Sequence, residues 1–280
     1  MAPTTDAPLA AAGEHTNTRG GAGQDTTLGH RILRGIATRA AALAVFVLAW
    51  QLVVVSGWKP EYLLPSPFTV FDAMWHGPGA FTHNAGITLG HAAIGLAAAV
   101  VVGGVVGVLG SLFAPVRAVV RSIVAGLETV PAVVWYPAAL IVIGTSWYSI
   151  LVVIVISAAP PIARGVIEGV AKTATRTSAD QEQGDRLARL RHVVVPGSLP
   201  DVLSGLRRGW RNCWAALLTG EILLLLPSLG LGGQLYFERG LNDDVAVYEA
   251  MIVIFVLGWL IDGVFGTAAA MLDRRRAAAR

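Results

Sequence analysis

Three carboxylates stand inside otherwise apolar stretches: Glu128 just before Pro131, Glu221 within Asn212–Phe237, and Asp262 within Ala250–Leu272. A charge in hydrocarbon is costly, so side chains that carry one pair with each other or line a solute or ion path. The chemistry they suggest is passage or packing rather than bond breaking. An intramembrane enzyme would need a nucleophile with its base, a carboxylate pair or a metal-ligand set at one depth. No Ser/His, Asp/Asp or His-x-x-Glu-His arrangement occurs. His83 and His91 share a helix face but lie two turns apart, too far for one metal ion. The lone cysteine, Cys213, cannot form an internal disulfide. Gly20-Gly21-Ala22-Gly23 is glycine-rich, yet a phosphate loop ends in Gly-Lys-Ser/Thr. The two lysines, Lys59 and Lys172, follow Trp58 and Ala171. The expectation is a chain without catalytic residues, metal or cofactor of its own; if nucleotide drives it, another subunit binds ATP and Mg.

The elements that position these residues follow from composition. Of 280 residues, 54% are hydrophobic and 14% charged, against about 25% charged in soluble domains. A soluble globule of this size cannot cover its surface with so little charge, so a soluble enzyme is excluded. Runs poor in charge occupy 40–58, 73–116, 129–163, 212–237 and 250–272, and a bilayer core needs about 20 apolar residues per helix. Six helices are expected, at about 36–56, 85–113 (with 82–84 as its lead-in), 118–143, 147–166, 199–226 and 245–272. Leu64-Pro65-Ser66-Pro67, Ala114-Pro115, Gly144-Thr145-Ser146 and Pro227-Ser228-Leu229-Gly230 supply the breaks. With the N-terminus inside, every Lys and Arg except Lys59 and Arg239 falls on the cytoplasmic side. Five or seven spans would scatter the basic clusters across both sides. The fold class expected is therefore all-α, a multi-pass bundle with both termini cytoplasmic. Residues 1–35 form a tail, disordered over Met1–His30. The membrane domain covers 36–273, and 274–280 is a basic tail. The first apolar stretch starts too late and is too long for a secretory signal.

Within that frame each buried polar group has two readings. Glu128 faces a translocation path or pairs across a dimer; alternatively it pairs with Arg121 or Arg117 near the cytoplasmic face. Pro131 and Pro137 free backbone carbonyls that can line a cavity, so the path candidates are Glu128, Pro131, Trp135, Tyr136 and Glu221. Glu221 shapes a gate or caps a re-entrant turn at Pro227–Gly230. Asp262 pairs with another helix or marks a bend. Gly103, Gly104, Gly107 and Gly110, with Gly165/Gly169 and Gly205/Gly209, are small-residue stripes for close helix packing. Trp58, Trp75, Trp147 and Tyr148 lie near expected outer boundaries as interfacial anchors.

The segment of about 172–200 is long for a loop in a bundle, where 2–8 residues is typical. It is basic, and Asp180–His192 is largely helix-forming. Leu187 and Leu190 fall on one face with Arg186, Arg189 and Arg191 around them. Pro196 and Pro200 end one helix and start the next. A short amphipathic helix with a rigid corner behind it can dock into a groove of a cytoplasmic partner and act as a lever.

Val193–Arg207 (VVVPGSLPDVLSGLR) resembles the end of the cytoplasmic "EAA" loop of ABC importer permeases of the nitrate, sulfonate and taurine type. Leu64-Pro65-Ser66-Pro67 resembles the family's LPSP. Val130-Pro131 through Pro137, followed by Ile143-Gly144, resembles its paired-proline stretch. Thr219-Gly220-Glu221 and Gly230-Leu231-Gly232 resemble the motifs after helix five. The ordered set covers about 40–276. Departures exist: counting back from Pro196 puts Thr177-Ser178-Ala179 at the EAA positions and Gln183 at the usual Gly, with Gly184 one residue on. The loop is either a divergent interface with its own matched ATPase, which we favour, or belongs to a degenerate half of a heterodimeric pore.

The resemblance implies a type I ABC importer-like permease of the bacterial inner (cytoplasmic) membrane. Its coupling loop would use Ala179, Asp180, Gln183, Gly184, Asp185, Arg186, Leu187, Arg189, Leu190 and Pro196. The implied partners are ABC ATPase subunits, a second permease subunit, an extracytoplasmic solute-binding protein and the lipid bilayer, with no nucleic acid. The implied solute is small: nitrate, sulfonate, taurine or similar. A stand-alone secondary transporter is the alternative; such proteins show repeats, and none relates 36–143 to 147–272.

Overall fold

Proline and glycine set most boundaries in the computed structural model, which describes residues 41–77, 79–178, 195–226 and 230–278. The chain divides into two units, Met1–Pro60 and Glu61–Arg280. In the first, α1 (Ala41–Val55) is an apolar helix. It stops where Gly57 turns to φ +68°, a left-handed conformation that glycine adopts without a Cβ penalty. Ser56 Oγ donates to Val53 O at 2.7 Å and closes the last turn.

The second unit begins with a helix absent from the six expected. In α2 (Pro67–His76), Ser66 is the N-cap, accepting the Thr69 amide at 3.1 Å, and Pro67 occupies the first turn. The Leu-Pro-Ser-Pro run thus encodes a helix start, since proline has no amide to satisfy there. α3 (Gly79–Leu112) follows, then α4 (Ala114–Thr129), a 3₁₀ turn (Ala132–Val134) and α5 (Trp135–Ile143). The single helix expected over 118–143 is therefore two, bent by 92°. The cause is local. Pro131 forces the residue before it out of helical space, and Val130 is extended at φ −91°, ψ 119°. Pro137, one turn into α5, is tolerated. Gly144 (φ +87°) ends α5.

α6 (Trp147–Ser178) and α7 (Val195–Leu224) form the central pair. α6 continues well past the expected end near 166, and α7 starts before the expected 199. Pro196 and Pro200 therefore lie in the opening turns of α7, not at a corner between helices. α8 (Leu231–Leu241), also not anticipated, joins α9 (Asp244–Ala278). Asn242 makes that turn with φ +58° as the C-cap, and Asp243 Oδ1 accepts the Ala246 amide.

Three of these helices are long and apolar enough to cross a membrane: 81–112, 147–173 and 244–271. The bent α4–α5 pair makes a fourth if it counts as one span. α7 is as long as they are but carries Asp201, Arg207, Arg208, Arg211 and Glu221. Two-thirds of the span in α6 is buried within the protein, against 6% of that in α9, so α6 is the axis of the bundle. The core is built from Ile150, Val153, Ile154, Ala158 and Ile162 of α6, Trp210, Cys213 and Leu217 of α7, and Ala92 and Ala99 of α3.

The small-residue stripes set how closely these helices meet. A Cβ at Gly103 would lie 2.6 Å from Ala159 O, and one at Gly107 would lie 2.6 Å from Val166 Cβ. Gly165 and Gly205 face each other across the α6–α7 seam, and Gly169 and Gly209 meet Ser198 and Ile162. The exception is Gly104, with nothing within 4 Å. It points away from the α3–α6 contact that its neighbours form.

Candidate functional site

Glu221 is 5% exposed and gathers three helices. Its carboxylate accepts from Thr88 Oγ1 of α3 at 3.0 and 3.1 Å and from the Gly232 amide at the start of α8 at 3.0 Å. Thr88 Oγ1 in turn accepts the Leu231 amide at 2.8 Å. The carboxylate and the hydroxyl together satisfy amides that the first turn of a helix leaves without partners, and negative charge suits that end of the dipole. His91 Nδ1 lies 3.5 Å from the carboxylate, its ring stacked on Trp147 at 4.1 Å. Gly230 and Gly232 leave the room the carboxylate fills. One turn along α3, Asn84 Nδ2 donates to Gln234 Oε1 at 2.9 Å. Of the two readings of Glu221, capping is the contact seen, on the helix after the expected turn rather than on the turn itself; 227–229 lie outside the described residues.

Asp262 of α9 meets Arg207 and Arg211 of α7. Arg207 donates through Nε at 3.0 Å and Nη2 at 2.6 Å, and Arg211 through Nε at 2.8 Å and Nη2 at 3.2 Å. Both bonds of each pair follow the fork geometry that makes Arg–carboxylate contacts strong. Asp262 was expected to pair with another helix, and it does. The asymmetry of basic residues puts both arginines on the expected cytoplasmic side and names no partner for them. Their spacing of one turn, facing an acidic residue in another apolar run, was the signal that would have assigned them to a contact between helices.

Glu128, near the end of α4, pairs with Arg164 of α6 at 2.8 Å, in place of the expected Arg121 or Arg117. Arg117 instead donates to Ser111 O. The other Glu128 oxygen is buried with no hydrogen-bond partner among the described residues. Beyond the bend, Tyr136 is fully buried and its hydroxyl donates to Ala216 O at 2.5 Å. Trp135 is partly buried, its Nε1 without a hydrogen-bond partner among the described residues; Pro131 is exposed at the bend. The path candidates are thus dispersed: Glu128 and Trp135 flank the bend, Tyr136 is packed in the core, and Glu221 sits at the far end of α7. His83 is exposed on α3 and apart from His91. No group of three metal-binding side chains occurs among the described residues. Trp75 and Tyr148 are exposed, as is Trp58 in the first unit, whereas Trp147 is held by His91.

At the other end of the α6–α7 pair, Lys172 bonds Asp201. Gly197 lies against Thr173, so close that a side chain could not be placed there. Residues 179–194 connect these two helices in the chain. The coupling-loop candidates Ala179, Asp180, Gln183, Gly184, Asp185, Arg186, Leu187, Arg189 and Leu190 lie outside the described residues; Pro196 is in the first turn of α7.

The arrangement is that of a multi-pass membrane protein, and comparison with known proteins agrees. No family model matches. The chain is 28% identical over 238 residues to the taurine transport system permease protein TauC of Escherichia coli, covering 82% of this chain and 86% of that protein. It is 26% identical over 242 residues to the nitrate import permease protein NrtB of a Synechocystis strain, covering 80% and 84%. In three dimensions it resembles a chain of the inward-facing MetNI methionine ABC transporter, with a TM-score of 0.57 at 19% identity over 69% of this chain and 95% of that one. That last likeness speaks for the fold. The chain is a homologue of ABC transporter permeases for taurine, nitrate and bicarbonate.

Proposed function

We propose that this chain is the membrane-spanning permease subunit of an ATP-driven importer, moving a small oxyanion-bearing solute by alternating access. The observation that carries the reading is the α6–α7 seam. Gly165 against Gly205, Gly169 against Ser198 and Gly197 against Thr173 bring the two backbones into near contact, with Lys172–Asp201 as a further tie. Small residues let two helices pack backbone to backbone, and in this scheme the pair moves as one body. A push on 179–194 therefore acts on both helices together, and through Arg207, Arg211 and Glu221 it reaches α9, α3 and α8.

In this scheme six spans place both termini and the 172–200 segment in the cytoplasm. ATPase subunits holding ATP and Mg dock on the segment, closing on nucleotide and turning the cavity outward. A solute-binding protein delivers the solute from the other side, and a second permease subunit completes the pathway in the bacterial inner membrane. The bend at Val130–Pro131, between Glu128 and Trp135, lies on the path, where irregular backbone is tolerated if it lines a cavity.

The test is uptake. Proteoliposomes of the complete transporter, with the binding protein added on one side, are expected to accumulate labelled nitrate or taurine only with ATP inside. Reversing the charge at Arg186, Arg189 and Arg191 together should lower that rate at least tenfold. ATP-independent uptake driven by an ion gradient would overturn the reading.

A further inference from the structure

The contact of Arg207, Arg211 and Asp262 joins two helices, but one carboxylate is enough to pair one guanidinium. Here two share it, within the apolar span 244–271 of α9. The cluster carries one surplus positive charge, and among the described residues no second carboxylate is paired with either arginine. Each guanidinium bonds Asp262 through Nε and Nη2, which leaves its Nη1 donors directed elsewhere. Arg211 is also 56% exposed on its side chain, so the charge is open on one side. Gly266, one turn beyond Asp262, makes room: a Cβ there would lie 3.3 Å from Arg207 Cζ.

The surface around the cluster differs from the lipid-facing surfaces nearby. Around the cluster the uncovered residues of α7 are Ser204, Arg208, Arg211 and Ala215, polar or small, and its exposed leucines, Leu199 and Leu223, lie toward the two ends of the helix. The uncovered face of α9 instead carries Met251, Phe255, Leu260, Val264 and Met271. Large apolar side chains suit hydrocarbon; a polar, charged face at the same depth suits a water-filled path, and intramembrane charges face such paths.

We infer that the open side of Arg207 and Arg211 is an oxyanion-binding station on the translocation path, with Asp262 as the internal counterion that holds the guanidiniums when no solute is present. This rests on the permease reading above and deepens it by naming where the solute is recognised. A nitrate, carbonate or sulfonate group offers oxygens to the free Nη donors and neutralises the surplus charge. Two arginines bind such a group bidentately, while Asp262 weakens the grip enough for release.

The experiment measures uptake of labelled nitrate and taurine by the complete transporter in phosphatidylcholine proteoliposomes, with Arg211→Gln, Arg211→Lys and Asp262→Asn. For a solute station, Arg211→Gln raises the half-saturation concentration at least tenfold. Arg211→Lys, with the charge but not the fork, raises it severalfold, and Asp262→Asn lowers it because the competing carboxylate is gone. A purely structural ion pair would leave half-saturation unchanged in all three and lower the yield of assembled complex instead, which overturns the inference. Rescue of Arg211→Gln by phosphatidylglycerol, or a wild-type defect cured by it, would assign the charge to a lipid headgroup and likewise overturn it. If the wild-type complex, with its ATPase attached, moves choline or urea in an ATP-dependent way but no anion, the station and the oxyanion solute fail together while the reading as an ATP-driven permease subunit stands.

Discussion

Glu221 holds its place because its carboxylate answers needs on two other helices at once: the Thr88 hydroxyl of α3, the Gly232 amide of α8 and, through Thr88, the Leu231 amide. Removing it leaves buried donors without acceptors, at a cost of about 1–3 kcal/mol. Glu221→Ala is expected to lower the unfolding midpoint in detergent more than Glu221→Gln, which keeps one acceptor. His91→Phe, which preserves the stack on Trp147, should cost less than either. Equal midpoints for all three proteins and the wild type would show that the contact contributes nothing. At this scale the sequence marked the charged residues but not their partners. Glu221 and Asp262 were visible as charges in apolar runs, whereas Thr88, Asn84 and Gln234 are ordinary polar residues in long segments. Their roles depend on where α3 and α8 meet, which no local spacing encodes. Arg164 was likewise missed as the partner of Glu128, since the pairing joins α4 to α6 across the bend.

Glycine governs the elements through its position on the helix rather than its number. Gly103 and Gly107 sit under α6, while Gly104 faces open space. Overpacking a close contact costs about 1–3 kcal/mol or more, so Gly107→Leu is expected to lower the yield of folded protein in size-exclusion chromatography sharply, and Gly104→Leu to leave it near wild type. Similar loss from both would mean that α3 does not meet α6 through this stripe. The four-residue spacing was legible in the chain; which of two adjacent glycines belongs to the seam was settled only by the helix's rotation. The breaks were legible for a similar reason. Leu64-Pro65-Ser66-Pro67 marked a boundary but concealed the start of α2, because a ten-residue helix leaves no long apolar run. Pro131 was read as a distortion within one helix, yet the extended Val130 before it turns the chain through a right angle.

For the molecule as a whole, the asymmetry of basic residues supplies the expected orientation, and α6 and α7, on either side of the basic segment in the chain, meet through close glycine contacts. Cys213 is fully buried, so cysteines introduced one at a time report the topology. A membrane-impermeant maleimide should label Glu61→Cys and Asn242→Cys in intact cells, and Ala279→Cys only after the membrane is opened. The reverse pattern would invert the orientation. Chain order and charge made the membrane class readable from the sequence. The docking of α8 on Glu221 and Thr88 and the arginine pair on Asp262 were not, because each arises from contacts between residues far apart in the chain. The central claim is that this chain works by coupling to a separate ATPase, and purification from its native membrane tests it most directly. Tagged wild-type protein should bring down an ATPase in stoichiometric amount, and charge reversal at Arg186, Arg189 and Arg191 should release it. Recovery of the intact, transport-competent protein with no ATPase attached would contradict the account.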